Sequence, residues 1–347
     1  MKENNARFSF VWTTHHLILD GWSMGLLVQE VFENYEARLR GKQLQRGAVR
    51  PYRDYIEWLR TEDTGQAEAY WRKRLAGFTT PTPLGFTHSG NGKLASTENF
   101  AHQLTTLSAS RTEALKAYAR QQKLTLNTVI QGAWALLLSR DSGVRDVVFG
   151  VVVSGRPTEL AGFENMIGVF INTLPMRTEV RLDQQIGAWL SELQKDQVEM
   201  RQFEHSPLVQ VQGWSEVPRG LPLFESYLNF LNYPLDDSLR NLEGPLQIQD
   251  ARSIERANYP IAIDVMPGKN LSVEITYDVR RFDAPEIALT LKNFELLLDS
   301  FVFHPDAALR TLEQILDASH RQEQIAREHD LQQSIRQSIK TIRRRAV

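Results

Sequence analysis

The chain has 347 residues, which exceeds the length of one ordinary domain and predicts two lobes. Its 42% hydrophobic and 24% charged residues are typical of a globular protein, and its net charge of −2 gives no overall attraction to nucleic acid or anionic membranes. The absence of cysteine excludes disulfides, thiolate nucleophiles and cysteine-ligated zinc. No apolar run reaches the length of a membrane span, and residues 1–5 lack the apolar stretch of a signal peptide. We therefore expect a cytoplasmic protein without a nucleic-acid or membrane partner.

The first predicted elements are a strand and a helix joined by a turn. The segment Arg7–His15 alternates aromatic with other side chains, which is the period-two pattern of a half-buried strand. The pair Asp20-Gly21 predicts a turn. Ser23 is a suitable N-cap for an amphipathic helix that ends near Gly41.

Helices and strands alternate irregularly over the rest of the chain. The segment Thr79–Ser96 is rich in Thr, Pro, Gly and Ser and predicts an inter-lobe linker. The apolar run Asp146–Val153 predicts a central strand buried on both faces. Further helices are predicted at Tyr52–Arg60, Gln66–Leu75, Arg111–Gln122, Thr125–Arg140, around Ile186, Leu190 and Leu193, and at Ala284–Phe303. Further strands are predicted from Leu104 and at Tyr227–Phe230, Ile261–Met266 and Leu271–Tyr277. This mixture predicts an α/β or α+β fold with layered sheets.

The C-terminal end carries a bias of positive charge. It contains Arg336, Lys340, Arg343, Arg344 and Arg345 with no acid between them. Two interpretations remain open, a solvated helix end or linker, and a docking segment for an acidic partner.

Chemistry-bearing residues are concentrated between His15 and Ser23. Because neighbouring residues of a strand face opposite sides, only one of His15 and His16 is expected to point into a cleft. Asp20 can fix the local geometry by a salt bridge or by accepting turn amides, and Gly21 allows a close approach that a side chain would block. A catalytic histidine, and a structural histidine beside a turn aspartate, both remain possible from these residues alone. Metal binding is disfavoured, because adjacent histidines do not readily chelate one ion and no Glu or third His lies at zinc-like spacing.

The segment His15–Gly21 resembles the H-H-x-x-x-D-G signature shared by chloramphenicol-acetyltransferase-like acyltransferases and by condensation domains of nonribosomal peptide synthetases. Other stretches resemble condensation-domain motifs in the family's order: Tyr52–Trp58, Tyr70–Leu75, Val153–Pro157, Ile167–Arg177, His205–Leu208, Gln212–Ser215 and Pro222–Ser226. The resemblance covers roughly residues 7 to 317. The intact histidines differ from the aspartates of heterocyclization domains, and Asp-Gly-Trp-Ser after the histidines resembles the subtype that accepts an L-configured donor.

The resemblance implies a two-lobe chloramphenicol-acetyltransferase-like α/β (α+β) fold. It divides the chain into residues 1–78 as the remainder of a first lobe, 79–96 as a linker, 97–318 as a complete second lobe, and 319–347 as a basic helical tail or linker. In the family the histidine pair ends a lobe that begins well upstream of it, so its position at residue 15 predicts an incomplete first lobe. An upstream arginine that pairs with the motif aspartate is then expected to be missing for Asp20, with Arg156 as a weaker substitute.

The function implied by the resemblance is amide bond formation between an acyl or peptidyl thioester on one carrier protein and an aminoacyl group on a second. The phosphopantetheine belongs to these partner carriers, adjacent synthetase domains or subunits are further partners, and no intrinsic cofactor or metal is expected. The candidate catalytic residues are His16, His15, Asp20 and Gly21. The candidate substrate-channel residues are Trp22, Ser23, Ser154, Arg156 and Asn172.

These residues carry alternative roles. His15 and Asp20 are expected to be structural, Trp22 either packs in the core or lines the acceptor side, and Ser154 and Asn172 either face the cleft or satisfy loop backbone. Two other functions also remain open: a free-standing acyltransferase that uses coenzyme A or another donor, and a non-catalytic remnant or docking module.

Overall fold

The fold is built on one mixed β-sheet. A computed structural model describes residues 8–44, 47–85, 99–157, 160–232 and 258–322. The six strands of the sheet have the order β1-β6-β5-β4-β2-β3. Their limits are β1 Phe100–Thr106, β2 Asp146–Val153, β3 Asn172–Glu179, β4 Ser226–Phe230, β5 Ile261–Met266 and β6 Ser272–Asp278. Strand β4 is parallel to both β2 and β5, and the remaining pairs are antiparallel.

Helices precede and follow these strands. Their limits are α1 Gly21–Leu39, α2 Tyr52–Leu59, α3 Thr64–Arg74, α4 Ala109–Gln121, α5 Leu126–Ser142, α6 Ile186–Arg201, α7 Leu208–Trp214 and α8 Ala284–Phe303, with a further helical stretch at residues 309–322. Local signals set several of these limits. The side chain of Thr125 accepts from the backbone N–H of Thr128 at the start of α5, and Gly143 ends that helix with a φ of +72°. Asp283 and Glu286 form a capping box at the start of α8.

The main hydrophobic core lies between the sheet and a layer of helices. Helices α4, α5 and α8 pack on one another, and α5 and α8 contact the sheet. The indole of Trp134 on α5 is fully buried and donates a hydrogen bond to the Ser226 hydroxyl on β4 at 3.3 Å. On β6 the alternate residues Val273, Ile275 and Tyr277 are buried, as expected for a strand with one face against a core. The core therefore fixes the carboxyl ends of β2, β4 and β5 at one edge of the sheet.

Much of the predicted secondary structure is confirmed. The limits predicted for β2, β5 and α8 agree with the structure, and the other predicted elements that form differ by a few residues at their ends. The sequence interpretation missed β3, α7 and the helical stretch at 309–322. Strand β3 begins inside the motif-like stretch Ile167–Arg177 and ends at Glu179, and Pro175 weakens its strand pattern.

The predicted strand Arg7–His15 is wrong over residues 9–15, whereas Phe8 forms a single β-bridge and Arg7 lies outside the described residues. Residues 9–15 have no regular structure, and residues 16–18 form a turn. Phe10 and Val11 are 81% and 75% exposed. A strand needs a neighbour to satisfy its backbone groups, and no strand in the described parts of the chain pairs with residues 9–15, so the alternating pattern is insufficient. The predicted N-cap Ser23 is also wrong, because α1 begins earlier and Asp20 caps it.

The predicted linker is partly ordered against the sheet. The Thr82 hydroxyl accepts a hydrogen bond from the backbone N–H of Val148 at 2.8 Å, and Leu84 is buried. Residues 86–96 and the basic tail beyond residue 322 lie outside the described residues, so the domain limits stay predictions. Among the helices that the structure describes, none has the length and apolarity to cross a membrane.

Gly150 provides a test of the packing of β2. A Cβ at this position would lie 2.4 Å from the Phe224 ring, which is 1% exposed and enclosed on its other sides. We expect Gly150→Ala to lower the free energy of unfolding by about 1–3 kcal/mol, measured by chemical denaturation. Gly213→Ala is the matched control, because its Cβ meets no atom within 4 Å; it should be neutral or stabilising by up to about 1 kcal/mol. Equal stability of Gly150→Ala and the wild type would contradict this packing.

Candidate active site

Asp20 is the buried centre of the candidate site. Its side chain is fully enclosed and caps α1, with Oδ1 accepting from the backbone N–H of Ser23 at 2.7 Å. Its Oδ2 accepts from the backbone N–H of Phe170 at 3.0 Å. The backbone N–H of Asp20 donates to the Gly168 carbonyl at 3.2 Å. The start of α1 is therefore attached to the loop that precedes β3.

Arg156 supplies the positive charge beside this carboxylate. Its Nη2 lies 3.4 Å from Asp20 Oδ1 and donates to the Ser23 hydroxyl at 3.0 Å. Its Nη1 donates to the carbonyls of Phe163 and Met166 at 2.7 and 3.1 Å. Burial lowers the pKa of Arg156 while Asp20 raises it, and a guanidinium remains charged in either case. The two buried charges therefore compensate each other.

Arg156 therefore occupies the place of the substitute partner that was expected for Asp20 from the sequence. Arg156 reaches Asp20 because the turn that follows β2 folds back onto the start of α1. Gly155 makes this turn possible, since its φ is +59° and a Cβ there would lie 1.9 Å from the Phe170 carbonyl oxygen. The backbone N–H groups of Ser23 and Phe170 also share the negative charge, so Arg156 does not act alone.

An aromatic cluster on α2 supports the loop beneath Asp20. Tyr55 and Phe170 are buried with their ring centroids 4.5 Å apart, and the guanidinium of Arg156 lies 4.0 Å from the Phe170 ring centroid. The Tyr52 hydroxyl donates to the Val169 carbonyl at 2.5 Å. Burial raises the pKa of Tyr55, so this phenol stays neutral. The stretches resembling family motifs at 52–58, 153–157 and 167–177 thus meet around Asp20.

The two histidines lie on the exposed turn before Asp20. His16 Nδ1 lies 3.1 Å from the carbonyl oxygen of Leu19. Because a carbonyl can only accept, Nδ1 carries the proton and Nε2 holds the lone pair of the neutral ring. His15 has the opposite arrangement, with Nδ1 accepting from the backbone N–H of Leu17 at 3.1 Å. The expectation that one histidine packs behind the other is wrong, since both are exposed on a turn rather than on a strand.

The other predicted site residues lie around the start of α1 and the turn that carries Arg156. Gly21 is the first residue of α1, and Trp22 is half-buried with its Nε1 donating to the Glu164 carbonyl at 3.0 Å. Ser154 is exposed beside the Arg156 turn. Asn172 donates from Nδ2 to two loop carbonyls, which is the backbone-satisfying alternative.

Ser23 and Arg156 lie beneath the surface beside Asp20. Both are buried, and the Ser23 hydroxyl also donates to the Gly168 carbonyl at 2.8 Å. The Asp20 carboxylate engages both residues, and the channel position expected for them stays a prediction.

Sequence reasoning missed two residues that contact the site loops. Phe170 supplies the N–H and the ring described above, and Glu204 accepts from the backbone N–H of Gly155 at 3.3 Å. Phe170 lies within a motif-like stretch and Glu204 immediately precedes one. These positions were the only sign in the sequence that the two residues belong to the site. No group of three His, Asp or Glu side chains within the described residues is arranged to hold a metal ion.

Comparison with known proteins identifies the family of this arrangement. The sequence model of the condensation domain matches residues 1–324. The chain belongs to the condensation-domain family. It is 41% identical over 322 residues to a linear gramicidin synthase protein of Brevibacillus parabrevis, covering 93% of this chain and 4% of the relative. It is 34% identical over 317 residues to surfactin synthase subunit 2 of Bacillus subtilis (strain 168), covering 90% of this chain and 9% of the relative. The condensation domain described here thus spans less than a tenth of either relative.

Solved structures have the same fold. The crystal structure of the X-domain from teicoplanin biosynthesis matches with a TM-score of 0.69 at 19% identity, covering 85% of this chain and 69% of that chain. The first condensation domain of the CDA synthetase matches with a TM-score of 0.67 at 19% identity, covering 85% of this chain and 65% of that chain. The predicted mixed, chloramphenicol-acetyltransferase-like fold class is confirmed.

The buried ion pair predicts a large cost for removing one partner. Arg156→Met keeps an apolar side chain of similar length but leaves the Asp20 carboxylate buried without its cation, so we expect the free energy of unfolding to fall by about 3–5 kcal/mol. The double variant Asp20→Asn/Arg156→Met should lose less than this single variant, because the amide carries no charge. Chemical denaturation measures both.

A matched surface pair provides the control. Arg53 bonds Glu57 on α2 with both side chains largely exposed, and Arg53→Met should cost at most about 1 kcal/mol. Equal losses for Arg53→Met and Arg156→Met would show that the Asp20 contact contributes no more than a surface pair.

Proposed function

We propose that this condensation domain catalyses amide bond formation between a carrier-bound acyl or peptidyl thioester and a carrier-bound aminoacyl acceptor in nonribosomal peptide synthesis. The observation that carries the proposal is the His16 turn. It presents an exposed imidazole whose Nδ1 is committed to Leu19, directly before the buried contact between Asp20 and Arg156. Family membership supports the same activity.

The reaction requires one bond to form and one to break. The acceptor amine nitrogen attacks the thioester carbonyl carbon, the C–N bond forms, and the C–S bond breaks to release the donor carrier's thiolate. The proton lost by the amine passes to Nε2 of His16 and from there to the sulfur. The hydrogen bond from Nδ1 to Leu19 orients the ring for this step, because it keeps the lone pair on Nε2.

Positioning is expected to contribute more than proton removal. An α-amine with an ordinary pKa of about 7.7–8.0 is already partly neutral near neutral pH. A general base contributes about 10²–10⁴-fold, whereas holding two reactants together corresponds to effective molarities of about 10⁵–10⁸ M. Asp20, held by Arg156, then serves to fix the turn that carries His16 rather than to react.

The proposal extends to partners and substrates. The donor and acceptor are delivered by upstream and downstream carrier proteins, whose phosphopantetheine arms carry the thioesters, and the domain has no cofactor of its own. Adjacent synthetase domains or subunits are its other partners, and its location is cytoplasmic. We propose an L-configured donor, because Asp-Gly-Trp-Ser after the histidines resembles that subtype. We also propose that Ser154 and Trp22 lie beside the substrates, because both are next to the Arg156 turn and neither is fully buried.

The decisive assay compares two forms of the same donor. Donor loaded on a carrier protein should give the amide product with a carrier-loaded acceptor, whereas the corresponding coenzyme A thioester should react far more slowly. Equal or faster reaction of the coenzyme A thioester would instead support a free-standing acyltransferase. Absence of product from either donor would support a non-catalytic module.

Replacement of His16 should have an effect that depends on the acceptor. His16→Ala removes the base, so turnover should fall by about 10²–10⁴-fold with weakly basic acceptor amines and by less with good nucleophiles. His102→Ala is the control, since His102 is exposed on β1, and it should leave turnover unchanged. Turnover numbers across a series of acceptor basicities measure this effect, and the same loss for every acceptor would count against a proton-transfer role.

A further inference from the structure

The loop of residues 203–206, which follows α6, joins the first helices of the chain to the second half. The Phe203 ring stacks on Tyr70 of α3, with centroids 4.4 Å apart and an interplanar angle of 19°. His205 Nε2 lies 3.7 Å from a carboxylate oxygen of Glu62, and its ring contacts Trp58 edge-on at 5.5 Å. These contacts hold the loop against α2, α3 and the turn between them.

The same loop binds both segments that carry the buried ion pair. The Glu204 carboxyl accepts a hydrogen bond from the backbone N–H of Gly155 at 3.3 Å. The Asn172 amide donates to the carbonyls of Glu204 and Ser206 at 3.0 and 2.6 Å. Because Val153 and Asn172 are register partners, the loop clamps the end of β2 and the start of β3 together. The turn that projects Arg156 therefore begins from a fixed point.

The Glu204 carboxyl is half-buried, and its hydrogen-bond partner is a backbone group. Burial raises the pKa of Glu204, while the Gly155 N–H and Arg201 lower it. No arginine or lysine within the described residues forms an ion pair with it. Gly155 lies two residues beyond the end of β2 at Val153, outside the strand ladder, and Glu204 supplies the acceptor that its buried N–H requires.

We propose that Glu204 is a positioning residue of the catalytic centre, acting through the Gly155 turn on Arg156. Its carboxyl fixes the backbone N–H of Gly155, and this sets where the next residue places its guanidinium against Asp20. The chain of contacts from Glu204 through Gly155 and Arg156 to Asp20 stands on the geometry alone, whereas its consequence for catalysis rests on the proposed function.

Three substitutions at Glu204 separate hydrogen bonding from bulk. Glu204→Gln keeps an acceptor oxygen at the same reach, and Glu204→Leu removes the acceptor while keeping the volume. Glu204→Ser is a second deletion variant, too short to reach Gly155, in case the leucine variant does not fold. The matched control is His205→Gln. His205 lies in the same loop as Glu204, and the substitution breaks its contact with Glu62 without altering the bond from Gly155 to Glu204.

The first measurement does not depend on catalysis. Hydrogen exchange of the Arg156 guanidinium protons, followed by NMR in the arginine-labelled full chain, reports how firmly this side chain is held. Glu204→Leu or Glu204→Ser should accelerate this exchange by about two- to tenfold, the ratio expected for the loss of one hydrogen bond. Glu204→Gln and His205→Gln should leave it unchanged. Wild-type exchange in both deletion variants, or equal acceleration in the His205→Gln control, would overturn the proposal.

The second measurement is kinetic and uses the carrier-loaded assay. Glu204→Leu should lower kcat with little change in KM for the acceptor, and Glu204→Gln should restore it. The loss should shrink in an Arg156→Lys background, because both residues act along one chain of contacts. An undiminished loss in that background would overturn the route through Arg156. A wild-type chain that forms no amide would refute the proposed function, whereas the exchange measurement would still decide the geometric claim.

Discussion

The buried carboxylate of Asp20 is the constraint on which the site depends. A carboxylate enclosed by protein needs a cation and several hydrogen-bond donors, or its burial costs several kcal/mol. The donors come from α1, from the loop before β3 and from the turn after β2. These three segments can satisfy Asp20 only when they meet, so the site forms as part of the folding of the chain and not as a local motif.

The buried residues that hold the site in place are different from the exposed residue that is proposed to react. Asp20 and Arg156 lie below the surface, where their charges compensate each other and aromatic rings pack against them. The His16 turn lies above them and exposes its imidazole. An exposed imidazole suits the proposed substrates, which arrive on carriers, because neither substrate needs to enter a sealed pocket. Glu204 extends the rigid part by one further contact, to Gly155.

The sequence predicted most of the fold and the location of the site. The limits of β2, β5 and α8 follow from long periodic or apolar runs, and the order of motif-like stretches identified the residues that surround Asp20. The strand proposed for Arg7–His15 failed because alternation is a local signal, whereas strand formation needs a neighbour. The completeness of the first lobe and the domain limits stay predictions.

Contacts between distant residues were the least predictable part of the site. Arg156 lies 136 residues from Asp20, and it was expected from the sequence only as a weaker substitute for an upstream arginine. Asn172 had two possible roles, and only its contacts with two loop carbonyls decide between them. Glu204 had no signal beyond its place beside a motif-like stretch. Such residues become visible only when the hydrogen-bond partner of each buried backbone group is assigned.

In its neutral form, the His16 ring carries its proton on Nδ1 and its lone pair on Nε2, because Nδ1 faces the Leu19 carbonyl oxygen. Long-range proton–nitrogen correlation NMR of the histidine-labelled chain, recorded at a pH where the ring is neutral, tests this claim most directly. We expect a protonated Nδ1 and an unprotonated Nε2 for His16, and the reverse for His15. A proton on Nε2 of His16, or rapid averaging between the two nitrogens, would contradict it, because the bond to Leu19 would then not orient the ring.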